Sequence, residues 1–396
     1  LKTVIGQTTG GKLGYAGLPR HKTYGQSVKK LVDKFRPATT DLIVLGIGGS
    51  ALGNIALQAA LNGSTYNLLP DGKRPGPRLF VLDNVDPALV GDVLEFIGPR
   101  LATTCVNVIS KSGETAETAA QFLIVRDLLS KRVVTRALKR QLLVTTDAQA
   151  GTFRELVEAE GYDSLPVPEG VGGRFSVLSA VGLFSAQMCG INIGRLLEGA
   201  AEMSVRVAQP AAKKNPAAML ALLLHAFYVR GKRLHVMMPY SFQLKDLADW
   251  YRQLWAESLG KERDLDGAPV VVGPTPIRAL GATDQHSQIQ LYREGPNDKV
   301  IIFLQVDEFA ADVKIPRSKN TPAALRYLES ASLARLLNAE KEATEFALVA
   351  SSRPCLTIRF PRVDERTVGQ FIMLWEAATT LAGALLNINP YDQPAV

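Results

Sequence analysis

Nine short apolar runs, all but one followed directly by Gly, Ser, Asp or Pro and separated by longer stretches of helical periodicity, constrain this 396-residue chain most strongly. Five lie at 41–45, 79–82, 106–109, 142–145 and 165–167. Four more, at 234–238, 270–272, 300–306 and 356–360, follow the segment Lys213-Lys214-Asn215-Pro216. Strands alternating with helices give an α/β fold. The runs are nearly continuous in apolar character rather than alternating, so both faces should be covered and the strands parallel. The expectation is two doubly wound parallel-sheet domains, each a three-layer αβα sandwich. The length has room for two to three domains at about 150 residues each. The expected division is an N-terminal segment at 1–36, a first domain at 37–205 and a second at 206–396. No short fixed period runs through the chain, which argues against a solenoid.

Composition narrows the partners. Hydrophobic residues are 46% and charged residues 21% of the chain, so a disordered or collagen-like protein is excluded. The formal charge of +7 suits an anionic partner. The densest basic stretch, at 131–140, carries Lys131, Arg132, Arg136, Lys139 and Arg140 without aromatic neighbours. It reads as a solvated helix face, and nucleic acid is not an expected partner. Cys105, Cys189 and Cys355 stand far apart in apolar surroundings, as buried small hydrophobes do, and a disulfide framework is not expected. The apolar stretch at 216–229 is interrupted by His225 and falls short of the roughly 20 residues of a bilayer span. With no signal-peptide pattern at the start, the expectation is a cytoplasmic protein without a membrane segment.

Two loops carry the strongest chemical signal. The run at 41–45 leads into Gly46-Ile47-Gly48-Gly49-Ser50-Ala51-Leu52-Gly53, after which helical periodicity resumes. A glycine turn between a strand and a helix N-terminus is a ready phosphate site, because free N–H groups and the helix dipole face it. The same turn matches the glycine spacing of a dinucleotide site, but Asp83 comes 37 positions after Gly46, too late for the ribose-binding acid expected about 20 residues on. The second run, at 106–109, ends in Ser110-Lys111-Ser112-Gly113-Glu114-Thr115-Ala116-Glu117-Thr118. Ser50, Ser110, Ser112 and Thr115 could give hydroxyl donors, and Lys111 a charge, to a phosphate dianion. The same hydroxyls are also ordinary helix caps. Two such loops at the carboxyl ends of strands in one sheet favour a sugar phosphate monoester.

Three further residues have the chemistry for moving a proton or holding the charge it leaves behind. Glu257 lies near the end of a helix expected over 243–259, whose buried stripe is Leu244, Leu247, Tyr251, Leu254, Trp255 and Ser258. Glu257 falls off that stripe, on a flank with Asp246, Trp250 and Gln253, its i−4 neighbour. Gly260 marks the C-cap, and the negative helix end disfavours an anion there, which suits a proton acceptor. A solvated helix charge is the ordinary alternative. His286 follows Thr283 and Asp284, either able to cap a helix that Gly295 would close; a first-turn imidazole stays neutral there. Arg174 follows Gly172-Gly173, whose missing side chains allow close approach to a ligand, so a fixed cation could meet a ligand's negative charge; a loop arginine paired with a surface carboxylate is the equal alternative. His21, His225 and His235 read as structural. The four histidines lack metal-ligand spacing, so no metal is expected.

These residues resemble the glucose-6-phosphate isomerases, bacterial type, built from two sugar-isomerase (SIS-type) domains. The resemblance rests on six ordered motifs: Leu45 to Ser50, Val108 to Gly113, Val171-Gly172-Gly173-Arg174-Phe175-Ser176, Gln253 to Lys261, Asp284-Gln285-His286-Ser287 and Asn389-Pro390-Tyr391-Asp392-Gln393-Pro394. It implies aldose–ketose isomerisation of glucose 6-phosphate and fructose 6-phosphate through a cis-enediol, without cofactor. It further implies that Glu257 moves the proton between C2 and C1, that Arg174 stabilises the intermediate, and that His286 assists ring opening from the neighbouring subunit of a homodimer. Gln253 and Gln393 would contact sugar hydroxyls, Glu117 would orient the site, and Gly49, Ser50, Ser110, Lys111, Ser112, Thr115 and Gly173 would line the phosphate and sugar. The family has an active-site lysine shortly after the Asp-Gln-Pro motif, and helices before Gly10-Gly11-Lys12, so the sequence is expected to be a piece of a longer protein. A sugar-phosphate-sensing regulator would need the loops but not Arg174, Glu257 and His286 together. A nicotinamide-dependent oxidoreductase would need the missing ribose acid.

Overall fold

The computed structural model describes residues 13–132 and 138–395, together with Gly6. Five strands, β1 (Asp41–Leu45), β2 (Arg78–Leu82), β3 (Thr104–Ile109), β4 (Leu142–Thr146) and β5 (Asp163–Pro166), form one sheet in the order β2-β1-β3-β4-β5. All neighbours in it are parallel. Every residue of β1 is buried, and successive side chains point to opposite faces. Leu42 and Val44 pack with Ala56 and Leu57 of helix Leu52–Asn62, while Ile43 and Leu45 pack with Val93, Phe122 and Phe153 on the other side. Burial on both faces is the reason the runs are continuously apolar.

In the second sheet, β6 (Leu234–Pro239), β9 (Thr275–Arg278), β10 (Lys299–Glu308) and β11 (Cys355–Arg362) are parallel in the order β11-β10-β6-β9. Two differences from expectation arise here. The run at 270–272 is β8 (Pro269–Val272), which leaves the parallel sheet to pair antiparallel with β7 (Lys261–Arg263). Its place is taken by β9, whose Pro276 has no N–H to give a ladder and so can sit only at an edge.

The first sheet's inner face and the second sheet's Ile302, Leu304 and Val306 belong to one continuous core. Helix Glu365–Leu385 runs through it, entered by a capping box between Asp364 and Thr367. This 21-residue helix, not the stretch at 216–229, has the length and hydropathy of a membrane span, and it is used to fill the core. Close approach is built into its contact with helix Ile193–Val207: a Cβ on Gly369 would lie 2.0 Å from the Leu196 carbonyl oxygen. The expected boundary at 205/206 falls inside helix Ile193–Val207. Cys105 and Cys189 are buried, Cys355 is half-buried, and all three are free thiols. Lys131, Arg132, Lys139 and Arg140 are exposed, as a solvated face requires; Arg136 lies outside the described residues.

Candidate active site

In the first sheet, β1 is followed by β2 on one side while β3 lies on the other, so the loops after β1 and β3 diverge at a topological switch point. Ligands of open α/β sheets bind at such points. A cleft of about 920 Å³ opens there, lined by Gly48, Gly49 and Ser50, by Ser110, Lys111, Ser112 and Thr115, by Gly172, Gly173 and Arg174, by Gln253 and Glu257, and by Tyr391, Asp392 and Gln393. Eleven of the thirteen predicted site residues meet in this cleft; Glu117 and His286 do not line it.

Glycine is required where the two loops touch. A Cβ on Gly49 would lie 2.1 Å from the Gly173 carbonyl carbon and 2.6 Å from the Arg174 nitrogen. Gly48 has φ +56° and its Cβ would meet the Gln253 Nε2 at 2.9 Å. The first phosphate loop is thereby seated against both the arginine loop and the helix carrying Glu257.

The hydroxyls are not all ordinary caps. Helix Pro87–Ile97 is capped by Asp86 and helix Ile193–Val207 by Asn192, but helix Leu52–Asn62 has no side-chain cap. Ser50, just before it, has no hydrogen-bond partner for its hydroxyl among the described residues, so both hydroxyl and helix N-terminus stay available to an anion. In the second loop, Ser110 Oγ accepts from the Gly113 N–H at 3.1 Å and lies 3.3 Å from Thr115 Oγ1. Ser112 Oγ accepts from the Glu114 N–H at 3.2 Å. A hydroxyl held as an acceptor by backbone keeps its own proton to donate outward. Lys111 is exposed and makes no ion pair among the described residues.

Helix Lys245–Leu259 places Glu257. Its buried side includes Leu247, Tyr251, Leu254, Trp255 and Ser258 as expected, and also Trp250, which packs on Phe371 and so widens the stripe. Tyr251 and Trp255 pack on Trp375 of helix Glu365–Leu385, with ring centroids 4.5 and 5.5 Å apart. The helix is fixed by this aromatic layer, and Trp255 Nε1 donates to His235 Nδ1 at 3.1 Å. Burial pushes His235 down to about 3, which keeps it neutral and structural.

The carboxylate of Glu257 is held from two sides. Arg174 Nη1 donates to Oε1 at 2.8 Å and Gln253 Nε2 to Oε2 at 2.9 Å. An adjacent guanidinium, absent from the sequence expectation, offsets the unfavourable helix end. Gln253 Oε1 is buried without a donor among the described residues, an acceptor that a sugar hydroxyl can satisfy. Arg174 is 2% exposed. Its Nε donates to Ser258 Oγ at 2.8 Å, Nη1 also to Gln393 Oε1, and Nη2 to the carbonyls of Pro390 and Asp392 at 2.8 and 3.0 Å. All five N–H donors are thus in use, so this guanidinium is a clamp between the Gly172-Gly173 loop, the helix end and the C-terminal turn, as well as a charge in the cleft. Burial lowers its pKa, and the Glu257 charge raises it again.

Lys261, Ser258 and Tyr391 were not expected from the sequence as site residues. A lysine directly after a helix-ending Gly260 was the available signal, since cations favour helix C-termini. His286 is exposed at the end of the short 3-10 turn Thr283–His286, separate from helix Ile289–Glu294. It is therefore not in the first turn of an α-helix, because the Asp284 carboxylate accepts from the Leu280 N–H at 2.7 Å and from Ser287 Oγ at 2.6 Å and closes the turn on itself. Glu117 lies in the first turn of helix Ala116–Arg132, half-buried and outside the cleft lining. A smaller apolar groove of about 360 Å³, beside helix Pro216–Tyr228, contains none of the predicted residues.

Comparison with known proteins agrees with this geometry. The chain is 44% identical over 387 residues to a glucose-6-phosphate isomerase of Carboxydothermus hydrogenoformans, covering 98% of this chain and 83% of that protein. It is 41% identical to a glucose-6-phosphate isomerase of Rubrobacter xylanophilus, covering 100% and 89%. Its fold matches the crystal structure of a hypothetical protein of Thermus thermophilus with a TM-score of 0.90 at 35% identity, covering 100% and 91%. A Chlamydia trachomatis glucose-6-phosphate isomerase shares the fold, with a TM-score of 0.78 at 22% identity over 93% of this chain and 70% of that one. The phosphoglucose isomerase family model matches residues 14–396, and the chain belongs to that family.

Proposed function

We propose that the chain interconverts glucose 6-phosphate and fructose 6-phosphate by proton transfer through a cis-enediol. The observation that carries this reading is the Glu257 carboxylate, set in the same cleft as two serine-bearing phosphate loops and oriented by Arg174 and Gln253. Ser50, Ser110, Ser112, Thr115 and Lys111 bind the phosphate; Gly49 and Gly173 let the loops close on it. Gln253 and Gln393 bind sugar hydroxyls. Glu257 takes the proton from C2 and returns it to C1, the task of a general base, while the hydroxyl proton passes from O2 to O1. The charge of Arg174, next to that base, stabilises the enediolate as it forms. For a direct contact, Arg174 would exchange its bond to Gln393 for one to a sugar oxygen.

His286 acts on the ring oxygen of a substrate in a neighbouring subunit's cleft, which makes the active species a homodimer. Its exposure on a turn outside its own chain's cleft supports this assignment. Glu117, although outside the cleft lining, is proposed to orient the second loop from the first turn of its helix. The 1–36 segment and two sheet-centred halves remain the proposed organisation, with the division moved to the connection after helix Ile193–Val207. The free thiols support a cytoplasmic setting.

A coupled assay of fructose 6-phosphate turnover, run beside equilibrium binding of the same sugar, tests the reading. Turnover supports the isomerase. Binding without turnover would replace it with a sensor.

A further inference from the structure

We propose that Lys261 is a positioning residue for this reaction: with Arg174 it pins the Asp392 carbonyl, and so seats the C-terminal turn against Glu257. Lys261 opens β7 directly after the helix that carries Glu257. Its side chain is 4% exposed. The ammonium donates to the Glu257 carbonyl at 3.0 Å and to the Asp392 carbonyl at 3.1 Å, and lies 3.6 Å from Asp392 Oδ1. The first bond satisfies one of the carbonyls that a helix end leaves without an N–H partner, and so fixes the backbone of the base itself. The second falls on the same carbonyl oxygen that Arg174 Nη2 holds at 3.0 Å.

Two buried cations on one carbonyl are tolerable here because Glu257 and Asp392 bring two negative charges, leaving the group of four neutral. The far side of the turn is fixed independently. Tyr391 Oη donates to Thr380 Oγ1 at 2.9 Å, Tyr15 Oη lies 2.7 Å from the same hydroxyl, and the Tyr391 ring packs on Phe175 beside Arg174. The turn therefore has an aromatic anchor that tolerates sliding and a charged pin that does not. Loss of the pin displaces Gln393 and the end of the Glu257 helix, while the serine loops, on other elements, keep the phosphate.

This inference rests on the isomerase reading, and its expected signature is a split between rate and binding. For Lys261→Met, kcat should fall about 10- to 100-fold, the scale of a small misplacement of reacting groups, while KM for fructose 6-phosphate rises only a few-fold, because the phosphate loops stay and the Gln393 contact alone is loosened. The double variant Lys261→Met/Asp392→Asn, which restores charge balance, should stay as slow as Lys261→Met. Recovery in the double variant would show that charge compensation alone matters and would overturn the proposal, as would a wild-type kcat in Lys261→Met. If Lys261→Met does not fold, Lys261→Gln carries the same comparison: a kcat reduced by more than KM is raised supports the pin, and a lowered melting temperature with wild-type kcat refutes it. Failure of the isomerase reading is separately visible, because the wild-type protein would then show no turnover.

Discussion

Glu376→Gln should make the protein more stable at neutral pH and leave the advantage small in acid. Glu376 lies in the middle of helix Glu365–Leu385, fully buried, and neither carboxyl oxygen has a hydrogen-bond partner among the described residues. Burial raises its pKa well above the ordinary 4.5. An ionised carboxylate without a partner is too costly to bury, so the folded protein holds the neutral acid. Folding then takes up a proton, and the sign follows: the penalty is absent below pH 4.5 and grows as pH rises toward the folded-state pKa. One proton taken up on folding sets a limiting slope of about 1.4 kcal/mol per pH unit in the window above the ordinary 4.5 and below the raised folded-state pKa. The amide of Gln has the same shape and does not titrate. Its own burial cost is independent of pH, so the slope is the diagnostic quantity. Thermal or urea unfolding of both proteins from pH 5 to pH 7 should show their difference widening as pH rises, by up to about 1.4 kcal/mol per pH unit. A difference that does not change with pH would refute the reasoning, since Glu376 would then be ionised in the fold.

Three other outcomes follow from the site. Gly49→Ala should destabilise the protein by at least about 1–3 kcal/mol and raise KM for fructose 6-phosphate, because the new methyl carbon would meet the Gly173 carbonyl; calorimetry and steady-state kinetics check it. Ser110→Ala should raise KM more than it lowers kcat, since a phosphate donor acts in ground and transition states alike; an effect on kcat alone would move Ser110 out of the phosphate site. Mixing Glu257→Gln with His286→Ala protomers should restore up to about a quarter of wild-type activity after subunit exchange, as one site of each mixed dimer is intact. No recovery would place His286 in its own chain's chemistry or outside it.

Strands buried on both faces were legible, because an uninterrupted apolar run leaves no ambiguity about which side is covered. β1, β3, β4 and β10 fall within a residue or two of expectation. β9 was not legible: Thr-Pro-Ile-Arg carries one strong strand former and a proline, and only its partner β6 makes it a strand. The run at 270–272 has strand character, but nothing local says that it pairs with Lys261–Arg263 rather than with the main sheet. Helix periodicity put Glu257 on the correct flank and could not show that Arg174, 83 positions earlier, would hold it. The same limit hid Lys261 and Asp392, whose roles come from a turn folded back over the helix end. Loops that work by their own backbone, as the Gly48-Gly49-Ser50 turn does, are local and could be read. Clamps made by distant residues were not.

The central claim is that Glu257 is the proton-transferring base, and the most direct test is kcat for fructose 6-phosphate in Glu257→Gln against wild type. The amide oxygen can still accept from Arg174, and its NH2 can meet Gln253 once that side-chain amide turns over to present its oxygen, but the new amide cannot take a proton, so kcat should fall about 10²- to 10⁴-fold, the usual worth of a general base, while KM stays within a few-fold. A kcat for Glu257→Gln equal to that of wild type would contradict the account.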